Sequence, residues 1–163
     1  MDRSEGSHLE LDGIGIRAAE ACDVPVLAAM IAELFSIEED FTPAPEKHEA
    51  GLRALLARAD EAAVFAAVDS ADGKAIGMVT VQLTVSTAEG GLSGLLEDLF
   101  VRGAYRRRGV ASALVGAVEA WCASKGVHRV QLLADSTNVQ ALRFYDAQGY
   151  GRTRLACRRR FIE

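Results

Sequence analysis

No stretch of this sequence is apolar for the roughly 18 residues a membrane-spanning helix needs. The longest apolar runs, such as Val110 to Val118, are far shorter and contain Gly116. The first dozen residues are acidic and polar, which predicts neither a secretory signal nor a membrane anchor. Cysteine is scarce. Cys22, Cys122 and Cys157 are widely spaced and form no Cys-x-x-Cys pair, so reduced thiols in a cytoplasmic protein are expected rather than a disulfide framework. The three histidines, His8, His48 and His128, lack metal-ligand spacing among themselves or with cysteine; no metal is expected. Aromatics make up only 6% of the chain and the net charge is −5. Both argue against nucleic acid as a partner, despite Arg158-Arg159-Arg160. A dinucleotide fold read from Gly13-Ile14-Gly15 fails because no strand precedes it and the third glycine is absent.

What is present is apolar residue, half of a 163-residue chain, which suffices for one substantial core and not for two. Residues 1–12 lack periodicity and read as a flexible leader; residues 13–163 read as a single domain. Charge is divided along the chain. Residues 1–101 hold 19 acids and six bases, a balance of −13, while the remainder is +8. A solvated surface explains this as well as a front half that attracts a cation and a back half that holds an anion.

Gly13 to Ala18 fits a short strand, after which Asp23 and Pro25 open an amphipathic helix carrying Val26, Leu27, Met30, Ile31, Leu34 and Phe35. Thr42-Pro43-Ala44-Pro45 breaks it, and Glu46 to Arg58 reads as a second helix. Ala62–Val68 and Ala75–Val85 flank the turn signal Asp72-Gly73, which predicts a hairpin. Strand, helix, strand, helix and strand follow over Leu95–Val101, Val110–Ser124, Val130–Ala134, Val139–Gln148 and Gly151–Ile162. The order βααβββαβαβ predicts a mixed α/β domain.

The most specific segment is Leu96-Glu97-Asp98-Leu99-Phe100-Val101 followed by Arg102-Gly103-Ala104-Tyr105-Arg106-Arg107-Arg108-Gly109-Val110-Ala111-Ser112. An apolar strand leads through a basic turn into a helix whose first amides have no intrahelical partner and carry the positive end of the dipole. Small residues at Gly109 and Ala111 let a ligand approach that backbone, an arrangement suited to a pyrophosphate.

The frame Arg106-x-x-Gly109-x-Ala111 resembles the R/Q-x-x-G-x-G/A motif of the GNAT N-acetyltransferases. About thirty residues later, Asn138-Val139-Gln140-Ala141-Leu142-Arg143-Phe144-Tyr145-Asp146-Ala147-Gln148-Gly149-Tyr150 resembles the N-x-x-A-x-x-F/L-Y-x-x-x-G-F/Y segment of the same family. Many relatives have glycine at Arg107 and proline at Gly103; neither difference removes a backbone donor. The resemblance spans roughly residues 14–162. It implies an α/β GNAT fold, with a mixed sheet of six to seven strands, about four helices and a splay at the fourth strand.

The resemblance implies acetyl-CoA as co-substrate, held by Leu99, Phe100 and Val101 along the strand, by Arg106, Arg107, Arg108, Gly109, Val110, Ala111 and Ser112 at the turn, and by Asn138 and Tyr145. The run Glu97 to Val101 also resembles the corresponding strand of the diamine (spermidine/spermine) acetyltransferases. That likeness implies Glu97 as catalytic base, directly or through water, while family resemblance makes Tyr145 the acid beside the thioester sulfur. By strand alternation Glu97 and Asp98 are expected on opposite faces.

The chemistry needs such groups. A primary amine of pKa ~10.4 is free of its proton in only about one molecule in 2,500 at neutral pH, a handicap of roughly 4.6 kcal/mol. A thiol of pKa ~8.5 leaves readily. Direct attack in a ternary complex suffices, with no acyl-enzyme. The acceptor is a small-molecule or peptide amine, with a small cationic or polyamine-like amine favoured by Glu38-Glu39-Asp40 between Phe35 and Phe41. A protein N-terminus or lysine is the alternative acceptor; a CoA-binding sensor without catalysis is the alternative function. A homodimer is compatible with all of these.

Overall fold

In the computed structural model, residues 10–38 and 40–162 are described. The elements are β1 (Glu10–Leu11), β2 (Ile14–Ala18), α1 (Val24–Ile37), α2 (Pro45–Leu56), β3 (Ala62–Asp69), β4 (Ala75–Ser86), β5 (Gly91–Val101), α3 (Val110–Ser124), β6 (Val130–Leu132) and α4 (Val139–Ala147). The strands lie side by side in sequence order, antiparallel from β1 to β5, with β6 parallel to β5. Five strands have three residues or more and β1 has two.

Apolar periodicity explains why helices cover the sheet. Buried Val24, Leu27, Ala28, Met30 and Ile31 of α1 follow the three-and-four spacing of one helical face. They share a core with Leu52 of α2, Val64 and Ala66 of β3, Met78 and Phe100. On the opposite face Val110, Leu114, Val115, Val118 and Cys122 of α3 meet Val79, Val81 and Leu96. Each fully buried side chain of this size contributes about 1.5–3 kcal/mol. At Gly94 a Cβ would stand 2.9 Å from the Cys122 sulfur. Glycine there is what lets α3 lie so close to β5.

Four expectations are corrected. Glu10 and Leu11, expected within the leader, form a short strand paired with Gly15 and Ile14; residues 1–9 lie outside the described residues. Asp23 makes no side-chain cap on α1. Its carboxylate instead accepts both Arg17 guanidinium hydrogen bonds, at 2.7 and 2.8 Å, and the Glu20 amide at 2.7 Å. The closing strand over residues 151–162 does not form; β6 stops at Leu132 and offers only a three-residue ladder, too little to template a long partner. Finally, the fourth expected strand is not splayed but bulged, a difference that shapes the site.

Candidate active site

The ladder between β4 and β5 shifts register at one point. Thr80 faces Glu97 and Met78 faces Phe100, so Val79 is opposed by both Asp98 and Leu99. This is a β-bulge, and it holds Asp98 in the left-handed region at φ 51°. Asp and Asn tolerate that region better than most residues. Thr80 and Gln82 are two residues apart on β4 and share a face. The Thr80 hydroxyl donates to Asp98 at 2.9 Å, and the Gln82 amide donates to Glu97 at 3.2 Å. Both carboxylates therefore stand on the α1–α2 side of the sheet, not on opposite faces. The bulge defeats the alternation on which that expectation rested.

Burial raises the pKa of Asp98, with the Thr80 hydrogen bond opposing the rise. Desolvation also raises Glu97, and the adjacent Asp98 charge adds to it. A native-state pKa above the ordinary 3.8 means that the folded protein holds this proton more tightly than the unfolded chain. Stability is then lost as pH rises from 3.8 through the raised value, so ionised Asp98 costs stability at neutral pH. Asp98→Asn keeps an acceptor for Thr80 and suits the left-handed backbone. We expect it to gain about 1 kcal/mol, roughly 2–4 °C in Tm, at neutral pH, with the gain shrinking in acid. Scanning calorimetry at the two pH values measures both.

A cavity of about 340 Å³ opens between α1, α2 and the sheet, lined by Phe35, Lys47, His48, Arg58, Gln82 and Asp98, among others. Buried His48 accepts the Ala44 amide at 2.8 Å through Nε2, and burial depresses its pKa, so it serves as a neutral acceptor. Phe35 meets the His48 ring edge-on at 5.1 Å and stacks on Phe41 at 4.5 Å. Glu38, at the end of α1, is raised by desolvation first and then by the charges of Asp98, Asp135 and Asp40. Tyr145 lies within reach of that field. Desolvation, then Glu38, pushes its pKa up to about 12. Its hydroxyl has no hydrogen-bond partner among the described residues.

A second cavity of about 220 Å³ sits at the α3 N-terminus, lined by Val101, Tyr105, Arg106, Arg107, Gly109, Val110, Ala111, Ser112 and Phe144. Arg107 (φ 59°) and Gly109 (φ 81°) are both left-handed. Alternation of left- and right-handed residues turns successive amides into one concavity, the shape that binds anions. The first intrahelical bond there runs from the Ala113 amide to the Gly109 carbonyl at 3.0 Å, leaving the preceding amides for a ligand.

Seven of the twelve expected cofactor-site residues line this cavity: Val101, Arg106, Arg107, Gly109, Val110, Ala111 and Ser112. The others are placed differently. Phe100 is buried in the α1–α2 core and Leu99 packs toward α3, leaving only their backbone for a ligand. Arg108 lies over the Tyr105 ring at 5.4 Å, and Asn138 caps α4 by accepting the Ala141 amide at 3.0 Å. Tyr145 lines neither cavity; its ring lies edge-on to Phe144 at 5.2 Å and to Tyr150 at 6.0 Å, with Glu38 adding to the rise of its pKa. Arg106 is also engaged locally, donating from Nε to the Val101 carbonyl at 2.8 Å. Thr80, Gln82, His48 and Tyr105 escaped the sequence reading. Polar Thr80 and Gln82 at strand spacing amid valines were the available signal. Tyr105 donates to Asp69 at 2.8 Å and ties the basic turn to the end of β3.

Among the described residues no group of three or more His, Cys, Asp or Glu is placed to hold a metal, and no helix is long and apolar enough to cross a membrane.

Comparison with known proteins gives the family and the fold. An aminoglycoside N(6')-acetyltransferase type 1 of Salmonella typhimurium is 32% identical over 99 residues, 59% of this chain and 67% of the relative. The L-ornithine N5-acetyltransferase NATA1 of Arabidopsis thaliana is 39% identical over 54 residues, 33% of this chain and only 24% of that protein. A possible acetyltransferase from Clostridium difficile 630 shares the fold at TM-score 0.80 and 18% identity, covering 94% of this chain and 99% of that one. The structure of AAC(6')-Iy with a bisubstrate analogue of CoA and acetylneamine aligns at TM-score 0.75 and 25% identity, over 91% and 98% of the two chains. The family model described as Acetyltransferase (GNAT) family matches residues 31–150, most of the chain, and this chain belongs to that family of N-acetyltransferases.

Proposed function

We propose that this enzyme transfers acetyl from acetyl-CoA to a primary amine of a small polycationic acceptor by direct attack. The observation that carries the reading is the span of one strand: β5 presents Glu97 and Asp98 on the side of the larger cavity and, three residues after Asp98, Val101 in the wall of the smaller.

The donor's thioester supplies the activated acetyl group. Backbone amides from Arg107 to Ser112 would hold its pyrophosphate, with Gly109 and Ala111 permitting close approach. The β6 side of β5 beyond Leu96 has no strand partner among the described residues, so Leu99 to Val101 can pair with the pantetheine arm as an added strand. Asp98 holds the incoming ammonium, and Glu97, raised by partial desolvation and by Asp98, takes its proton directly or through water. Tyr145 stays protonated at neutral pH and donates to the departing sulfur.

The carboxylates around the cleft, Glu38, Asp98 and Asp135, favour a cation. Related enzymes described as aminoglycoside acetyltransferases point to the same chemistry, as does the diamine-like run Glu97 to Val101. A protein N-terminus or lysine is the alternative acceptor. A sensor without turnover has no use for a protonated Tyr145 hydroxyl that, among the described residues, has no hydrogen-bond partner. Thiol release from acetyl-CoA across a panel of amines tests the assignment; no release with any amine would overturn it. Tyr145→Phe should lower kcat about 10- to 100-fold while calorimetric CoA affinity stays unchanged. A full-rate Phe variant, with chemistry limiting, would exclude the role.

A further inference from the structure

The loop between α1 and α2 already holds a cation, and it comes from the chain itself. The Arg159 guanidinium lies over the Phe41 ring with 4.7 Å to the centroid and donates to the Asp40 carbonyl at 3.1 Å. Arg159 belongs to residues 151–162, which form no helix or strand and expose Leu155, Phe161 and Ile162 almost completely. This contact joins positions 119 residues apart. An aromatic face and a carbonyl oxygen together favour a desolvating cation over any neutral group.

The seat is continuous with the cleft. Phe41 stacks on Phe35, which lines the larger cavity with Asp98, and the Asp40 side chain adds its charge to the field at Glu38. We propose that the Phe41 ring and the Asp40 carbonyl form a subsite for the distal cation of a polycationic acceptor, and that Arg159 occupies it until such an acceptor displaces the C-terminal segment. The idea rests on the acceptor reading above and extends it. Specificity then depends on a competition: an acceptor with one charge cannot reach the carboxylate pair and evict Arg159 at once, whereas a dication of suitable span does both.

Two measurements test this. The first uses neither cofactor nor turnover: tryptic cleavage after Arg159 in the native protein, with and without an α,ω-diamine series. We expect diamines to accelerate cleavage about three- to tenfold and length-matched n-alkylamines not to. Phe41→Leu should give the fast rate with no diamine present and no further response. The second is kcat/KM for the same amines. Arg159→Gln should raise the diamine values about three- to tenfold and leave the n-alkylamine values unchanged, and Phe41→Leu should erase the diamine preference. Diamine-accelerated cleavage that persists in Phe41→Leu, or equal effects of Arg159→Gln on both amine classes, would overturn the proposal. Failure of every amine to release thiol would instead sink the acceptor reading, while the cleavage result still decides whether diamines take this seat.

Discussion

Gly109→Val should weaken acetyl-CoA binding at least about 100-fold, with no binding detected by calorimetry at ordinary concentrations. Three effects act together. Gly109 has φ 81°, where a β-branched residue is strained by ~1–2 kcal/mol. A Cβ there would lie in van der Waals contact, 3.6 Å from Leu11 Cδ2, so the two added methyls press on Leu11 or enter the cavity that Gly109 lines. Relief by rotating φ to negative values would turn the amides of residues 109–112 away from their common focus. About 2.7 kcal/mol corresponds to 100-fold, within reach of lost anion bonds that each contribute roughly 1.5–3 kcal/mol. Gly109→Ala separates the causes, since it keeps most of the backbone strain without branching. Unchanged affinity in the Val variant would move the pyrophosphate elsewhere.

Glu97→Gln should lower kcat about 100- to 1,000-fold, the usual contribution of a positioned general base, with acetyl-CoA affinity unaltered. The pH profile distinguishes loss of a base from loss of a contact. Glu97 acts only when ionised, and desolvation together with Asp98 raises its pKa. In the wild type the acid limb of kcat/KM therefore lies above the ordinary carboxylate range. Gln removes that limb and leaves only the rise from the acceptor's own deprotonation. An unchanged profile in the Gln variant would assign the proton to Asp98, whose Asn variant would then show the same loss.

The turn into α3 is more legible in the sequence than the placement of the carboxylates, for a physical reason. That turn is local: Arg106-x-x-Gly109-x-Ala111 carries its left-handed glycine and its small residues within six positions. Helices α1, α3 and α4 are likewise local, and their apolar spacing places them to within a residue or two. The bulge at Asp98 is not. It arises from how β4 and β5 settle against each other once Met78 and Phe100 enter one core and Val79 and Leu96 the other. Nothing within the run Leu96 to Val101 alone announces an extra residue. The expected strand over residues 151–162 failed for the converse reason: a β-like run becomes a strand only where another strand accepts its hydrogen bonds. Phe41 and Arg159 meet across most of the chain and had no local signature.

The close fit of Gly94 against Cys122 bears on how liberated CoA is counted. Cys122 is 1% exposed and burial pushes its thiol up to about 11, so it is shut away from a disulfide-exchange dye. Cys22 and Cys157 face solvent, so both are expected to react with such a dye. Each chain thus brings two thiol equivalents of its own into the cuvette, a fixed background that scales with enzyme and not with turnover. Serine at both positions would leave a protein whose colour yield reports acetyl transfer alone, its remaining sulfhydryl sealed under the helix.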